Sequence, residues 1–513
     1  MIIHELKKVL PDLNASVIDV ANCVKHLTLE ADQDLFAAML LSPFKIFCEK
    51  DSERPKALLE YALTEVDKDF DHLSTAIEAG TNIDKTTYTN KAIELLKNEN
   101  DLIKQRAIFA LGKISYQDKM LLKRVALAVK EASASLTDDV ILATSMQSLF
   151  DIVIQDKDLE KIFLKFLDDH SEHLNEHYIH TAAQILFSDE TKTSPAIEQQ
   201  LLDICCHTEP ENKKTIGYID CALKNILKRK NFDACVNFLE CFFELSNYKL
   251  SVKHFDNFVC ELNKHKDTYL SSLLTRWLLS KNLYLGKFSY DLIIINNFNH
   301  GATISFDRSC FPNDSQKRVR LFLTRKAVGW FFQHPQIVMS LIESLMPDMT
   351  EEELTEVQKL IFHPLCISYP DCIPKRIEEL KKSSQDKVAK TAANILSDYE
   401  NYQQSVKAAL AVNELKPSEQ NRHTYRKHHN KLMKESIEQA ESKSIISLFA
   451  CNKLTLLYGN KSVYYIHHDD KKIRQEVPLH EINHSFEFAS LHNIDPHGLE
   501  NIILQLRAEG CTS

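Results

Sequence analysis

Apolar residues recur along most of this chain at the three- and four-residue steps of an amphipathic helix. The segment Leu102–Ile114 (LIKQRAIFALGKI) carries them at 103, 107, 108, 110, 111 and 114. The same spacing returns in Val140–Ile154, Tyr178–Phe187 and Tyr218–Leu227. Superposing Ala110, Ser148, Gln184 and Ala222 gives steps of 38, 36 and 38 residues. Between each pair lies a second amphipathic stretch: Lys119–Glu131, Leu159–Leu167 and Ile197–Cys205. The pattern predicts helix pairs repeating about every 37 residues. One such pair cannot bury its apolar face alone, so neighbours must stack into a continuous core.

This spacing, with a small residue followed by leucine or isoleucine in the second helix, resembles HEAT repeats. The tryptophan–leucine–glycine–tyrosine set of TPR units is absent. The resemblance spans about residues 30–410 and implies an all-α fold, an α-solenoid of stacked helix pairs that holds partners along an extended face. The pattern runs on less regularly through Phe232–Leu245, Ser251–Asn263 and Tyr269–Leu279. Gly286–Ser315, rich in Asn and Asp, reads as a long irregular loop and a candidate contact surface. Helices resume at Gln316–Gln333, Gln336–Met346, Glu351–Phe362 and Asp386–Glu400.

Beyond Pro417 the character changes. Asn421–Ser442 is a polar helix, and Lys453–Ile466 holds two β-rich runs around Gly459-Asn460, a hairpin signal. Ile473–Ala489 is again extended, and Asp495-Pro496 opens a last helix as N-cap and first helical residue. The expected organisation is a HEAT-like array over 1–415, a basic linker helix over 416–444 and a small C-terminal α+β module over 445–513.

Composition sharpens this picture. Only nine of 513 residues are glycine, against about 7% in ordinary chains, which favours helices joined by short polar turns over large sheets. No two glycines stand close enough for a dinucleotide fingerprint or a phosphate-binding loop. A net charge of −10 gives no global attraction to nucleic acid or acidic membranes. Thirteen cysteines without a regular framework fit a reducing compartment. The apolar runs fall far short of the roughly 20 residues of a membrane helix, and the amino terminus has no basic-then-apolar leader. A soluble, cytoplasmic protein without membrane partners is expected.

Candidate chemistry is sparse. His173, Glu176 and His177 spell H-x-x-E-H inside DDHSEHLNEHYIHTAAQ, a string in which zinc peptidases hold metal with two histidines and activate water with the glutamate. Two ligands four residues apart need one continuous helix, and the polar SEHLN of 171–175 predicts a break there, with Ser171 or Asn175 as N-cap. The histidines are then expected on a solvated outer face. His363, Cys366 and Cys372, or His207 beside Cys205-Cys206, lack the paired spacing of structural zinc. His467-His468-Asp469-Asp470 reads as a turn between strands. The segment 416–434 is the best basic patch, with Arg422, Arg426, Lys427, Lys431 and Lys434 available to phosphates.

The leading expectation is a non-enzymatic protein–protein interaction scaffold or adaptor without cofactors, for instance an accessory subunit of a larger bacterial assembly such as a defence complex. A nucleic-acid-binding repeat protein using 416–434 is the alternative, and a zinc-dependent hydrolase at the H-x-x-E-H string a second one.

Overall fold

The computed structural model describes residues 2–30, 40–67, 70–134, 138–188, 193–295, 303–312, 316–412, 417–442, 461–468, 471–478 and 487–509. Helices dominate, and the chain divides into two compact units, Met1–His265 and Lys266–Ser513.

The first unit runs through α1 (Ile2–Val9), α2 (Val17–Glu30), α3 (Leu41–Glu49), α4 (Glu53–Thr64), α5 (His72–Ile83), α6 (Lys85–Leu95), α7 (Asp101–Lys113), α8 (Lys119–Ser133), α9 (Asp139–Val153), α10 (Glu160–Asp169), α11 (Glu176–Ser188), α12 (Pro195–Cys205), α13 (Lys213–Lys228), α14 (Phe232–Leu245) and α15 (Asp256–Lys264). From α3 onward the odd-numbered helices form one row, each packed on the next, and α6, α8, α10, α12 and α14 form a second row. The periodicity in the sequence is the cause. Leu111, Leu149, Ile185 and Leu223 recur at the predicted spacing on α7, α9, α11 and α13, and all four are wholly buried. Each such side chain stabilises the fold by about 1.5–3 kcal/mol. Gln184 is half-buried, and the fully enclosed small residues of that repeat are Ala182 and Ala183.

The rows pack closely. A Cβ on Gly112 of α7 would stand 2.8 Å from the Cα of Ser148 on α9, so glycine is what lets these two backbones approach. Several helices start on their own caps: Asp71 accepts from Ser74 N–H, Asn100 from Leu102 N–H and Asp138 from Val140 and Ile141 N–H. Others are capped from the neighbouring repeat. Buried Asp220 of α13 accepts the N–H groups of Asn257 (3.0 Å) and Phe258 (2.8 Å), which open α15. The Gln155 amide accepts from Tyr116 N–H (2.8 Å) and donates to Ile114 O (3.0 Å).

The second unit follows the same plan with α16 (Ser271–Leu279), α17 (Leu283–Ile295), α18 (Gln316–Phe331), α19 (Pro335–Leu345), α20 (Glu351–Leu360), α21 (Cys372–Leu380) and α22 (Asp386–Ala411). Helices α16, α18, α20 and α22 form one row, and α19 packs on α21 beside it. The loop expected from residue 286 begins later, because α17 runs to Ile295. In its described part, 303–312, inward and outward residues alternate: Thr303, Ser305, Arg308, Ser309 and Pro312 are exposed. Ile304 and Phe306 are buried, and Ser340 Oγ bonds both Ile304 N–H and Ile304 O at 2.9 Å.

The α+β module expected over 445–513 is not found as a unit. The polar helix α23 (Glu419–Ser442) is followed by an antiparallel pair, β1 (Lys461–His468) and β2 (Lys471–Pro478). Its register joins His468 to Lys471, so the pair closes there; Gly459-Asn460, the expected turn, lies outside the described residues. A short helix, α24 (Leu491–Ile494), leads to α25 (Pro496–Ala508), which Asp495 caps as expected, at 2.9 Å from Gly498 N–H. Helix α25 packs on α18 and α17, not on a sheet. Two strands offer little apolar area, whereas the α17–α18 surface can cover Leu499 and Ile503, both buried.

Candidate functional site

The histidine-rich stretch is built around the break between α10 and α11. Helix α10 ends at Asp169 and His170 follows as its C-cap, buried. Its Nδ1 lies 2.8 Å from Phe166 O and its Nε2 3.4 Å from Ser133 O, so the ring ties α10 to the end of α8. The chain then turns, and Asn175 Oδ1 accepts Tyr178 N–H at 2.8 Å to start α11. Asn175 is one of the two caps the sequence proposed.

The consequence for H-x-x-E-H is direct. His173 sits in the turn, while Glu176 and His177 occupy the first turn of α11, and all three are exposed. The shared helical register that would aim His173 and His177 at one ion is absent. Among the described residues no group of three or more His, Cys, Asp or Glu is arranged to hold a metal. The expected solvated face is corrected in part, because His170 is a buried structural ring and His180 is half-buried. His180 Nδ1 lies 2.8 Å from Thr215 Oγ1, and desolvation together with Lys214 holds its pKa below the usual histidine value.

Beside the turn lies a shallow cleft of about 220 Å³ lined by Leu167, Asp168, Ser171, Leu174, Gln200, Asp203, Ile204 and His207. Gln200 Nε2 bridges it to Asp168 Oδ1 at 2.7 Å. His207 thus faces a cleft, but its neighbours Cys205 and Cys206 are buried, and burial pushes both thiols up, away from the thiolate a metal or a nucleophilic reaction requires. Cys366 and Cys372 are likewise pushed up to about 12 by burial. His363 lines a second open cleft of about 350 Å³ with Arg325, Glu356, Lys359 and Asp398. Its charges neutralise one another locally: Lys359 pairs with Glu356 at 2.8 Å and Arg325 with Glu509 at 2.6 Å.

The basic segment forms α23, in which the residues from Glu419 to Glu438 are exposed except for half-covered His429, Leu432 and Met433. Lys431 and Lys434 stand 3.7 Å from Glu435 and Glu438. Among the described residues no carboxylate pairs with Arg422, Arg426 or Lys427. His467 and His468 belong to β1, opposite Lys472 and Lys471.

One surface escaped the residue-by-residue reading. On the odd-numbered row of the first unit, Phe109 and Phe187 are exposed, and the Phe187 ring meets Tyr218 of the next repeat at 5.3 Å, tilted by 42°. Lys113, 5.2 Å from the Phe109 ring, pairs with Asp151 of the following repeat at 3.3 Å. The available signal was Phe109 and Phe187 at the edges of the apolar stripes of α7 and α11. No helix among the described residues is long and apolar enough to cross a membrane. No protein-family model matches this sequence, and no curated protein matches it.

Proposed function

We propose that this chain is a non-enzymatic α-solenoid of HEAT-like helix pairs that binds protein partners, as an adaptor or accessory subunit of a larger assembly. The observation that carries this reading is the two-row packing of helices in sequence, with side-chain bonds recurring between residues one repeat apart. Gln105 reaches Thr144, His180 reaches Thr215 and Lys387 reaches Met349 O in this way. Such repeats expose one continuous row of helix faces, and repeat proteins use these faces for distributed contacts. Phe109, Phe187 and Tyr218, set among Lys113, Gln147 and Asp151, give that row the apolar-and-polar mix of an interface. Capture of proteins from the native host on the full chain, against a Phe109→Asp/Phe187→Asp variant, tests it. The expected result is a defined set of retained proteins that the variant loses while its melting temperature holds. Retention of the same set by both chains would refute this surface.

A further inference from the structure

Helix α23 is built against its own electrostatics. Residues 419–434 hold five Arg or Lys and one carboxylate, Glu419, whereas the last turns carry Glu435, Glu438 and Glu441. A helix favours anions near its N-terminus and cations near its C-terminus, so this order opposes the macrodipole. Packing covers little of it: Glu419–Glu438 are exposed apart from half-buried His429, Leu432 and Met433. Most helical stability in proteins comes from packing an amphipathic face, and this helix packs little. Within the helix, Lys431 and Lys434 stand 3.7 Å from Glu435 and Glu438, which leaves Arg422, Arg426 and Lys427 as the cations without such a neighbour among the described residues.

Several exposed cations elsewhere are paired, such as Lys8 with Glu5 and Lys165 with Asp169. Arg422, Arg426 and Lys427, clustered within two turns, have no carboxylate partner among the described residues. At helical spacing, Arg422, Tyr425, Arg426 and His429 share one stripe, and Tyr425 is 45% exposed.

We propose that α23 is a binding element for single-stranded nucleic acid. Arg422, Arg426 and Lys427 meet successive backbone phosphates, and Tyr425 and His429 supply faces on which bases stack. Interleaved cations and aromatic rings suit single strands, whose phosphates and base faces are both open, better than a duplex, whose bases are already stacked. Bound phosphates also supply the anion that the amino-terminal half of α23 lacks.

The test uses the full chain and fluorescence anisotropy with a labelled 20-nucleotide RNA, the same sequence as DNA, and its duplex, titrated from 50 to 300 mM salt. Binding of either single strand, tighter than the duplex, supports the proposal, and the RNA and DNA arms identify the source. Arg422→Ala/Arg426→Ala/Lys427→Ala should weaken binding at least about tenfold at low salt and make the salt slope shallower by about 2. Tyr425→Ala should weaken it by roughly fivefold to a hundredfold with the slope unchanged. No binding at 50 mM salt, or equal binding by the triple variant, overturns the proposal. So does a preference for duplex, or capture of anionic phospholipid vesicles in place of oligonucleotide.

Discussion

Asp220 caps a helix to which it does not belong: its Oδ1 accepts the N–H of Phe258, 38 residues further along, at 2.8 Å. Its other oxygen takes both the backbone and side-chain N–H groups of Asn257, at 3.0 and 2.9 Å. A buried carboxylate on α13 thus starts α15. Asp220→Ala leaves two helix-opening donors unpaired, one of them on buried Phe258. It should cost about 1–3 kcal/mol, read as a fall of several degrees in the melting midpoint. Asp220→Asn, which keeps one acceptor, should cost less, and an unchanged midpoint for the alanine variant would contradict this assignment.

The histidines of the α10–α11 turn should separate by role. His170→Ala removes the ring that joins Phe166 O to Ser133 O and should destabilise by about 1–2 kcal/mol. His173→Ala and His177→Ala, at exposed positions, should stay within about 0.5 kcal/mol. Denaturation midpoints of the three variants decide the matter; equal losses at 170 and 173 would mean the turn is organised differently.

Acid should weaken the first unit through His72. The ring is buried, 4.7 Å from Phe70 and 5.9 Å from Tyr61, and neither nitrogen has a partner among the described residues. Desolvation lowers its pKa from 6.5 to about 4; Lys25 and Arg106 push the same way, and Asp67 opposes them. The folded state therefore binds this proton less readily than the unfolded state does. Stability is complete above about pH 6.5 and declines as pH falls toward 4, by on the order of 2 kcal/mol. Melting curves across that range should show the decline, and His72→Phe should flatten it; a variant with the same acid slope would remove His72 as its source.

Lys230 ends α13 with φ of 66°, and Asn231 N–H returns to Ile226 O at 3.3 Å, a Schellman closure. A side chain is strained in this left-handed backbone, and glycine is not. Since Lys230 is exposed, Lys230→Gly should raise stability by about 0.5–1 kcal/mol. A lowered melting temperature would count against the closure.

Much of the helical framework was legible because its cause is local. Leu111, Leu149, Ile185 and Leu223 repeat at a fixed interval, and the polar SEHLN run announced the break before α11. The left-handed Lys230, Asn247 and Tyr248 were not legible, since turns in so glycine-poor a chain are made by residues that give no turn signal. Nor was Asp220, which sits in an ordinary amphipathic helix and finds its partners a whole repeat away. The docking of α25 was missed for the same kind of reason. Its apolar stripe states that it must be covered, and only the fold places Gly329 and Trp330 beneath it. Arg507 Nε donates to Gly329 O at 2.6 Å, its guanidinium lies 4.8 Å from the Trp330 ring, and no local pattern links those positions.

That docking bears on how the chain could be rebuilt. The stretch from Val412 to Glu487, α23 and the strand pair included, is pinned at both ends. Before it, Ile395, Leu396 and Tyr399 are buried on α22. After it, Glu487 accepts the N–H groups of Asp371 and Cys372 at 2.7 and 3.0 Å, Ser490 N–H reaches Ser368 O at 2.8 Å, and α25 is held on α18. The contacts named for each anchor lie outside residues 413–486. A backbone cut there is therefore expected to leave the carboxy-terminal piece attached, and an insertion there is expected to be tolerated. The same two anchors make this the natural place to open new termini, turning one chain into two that still assemble as one.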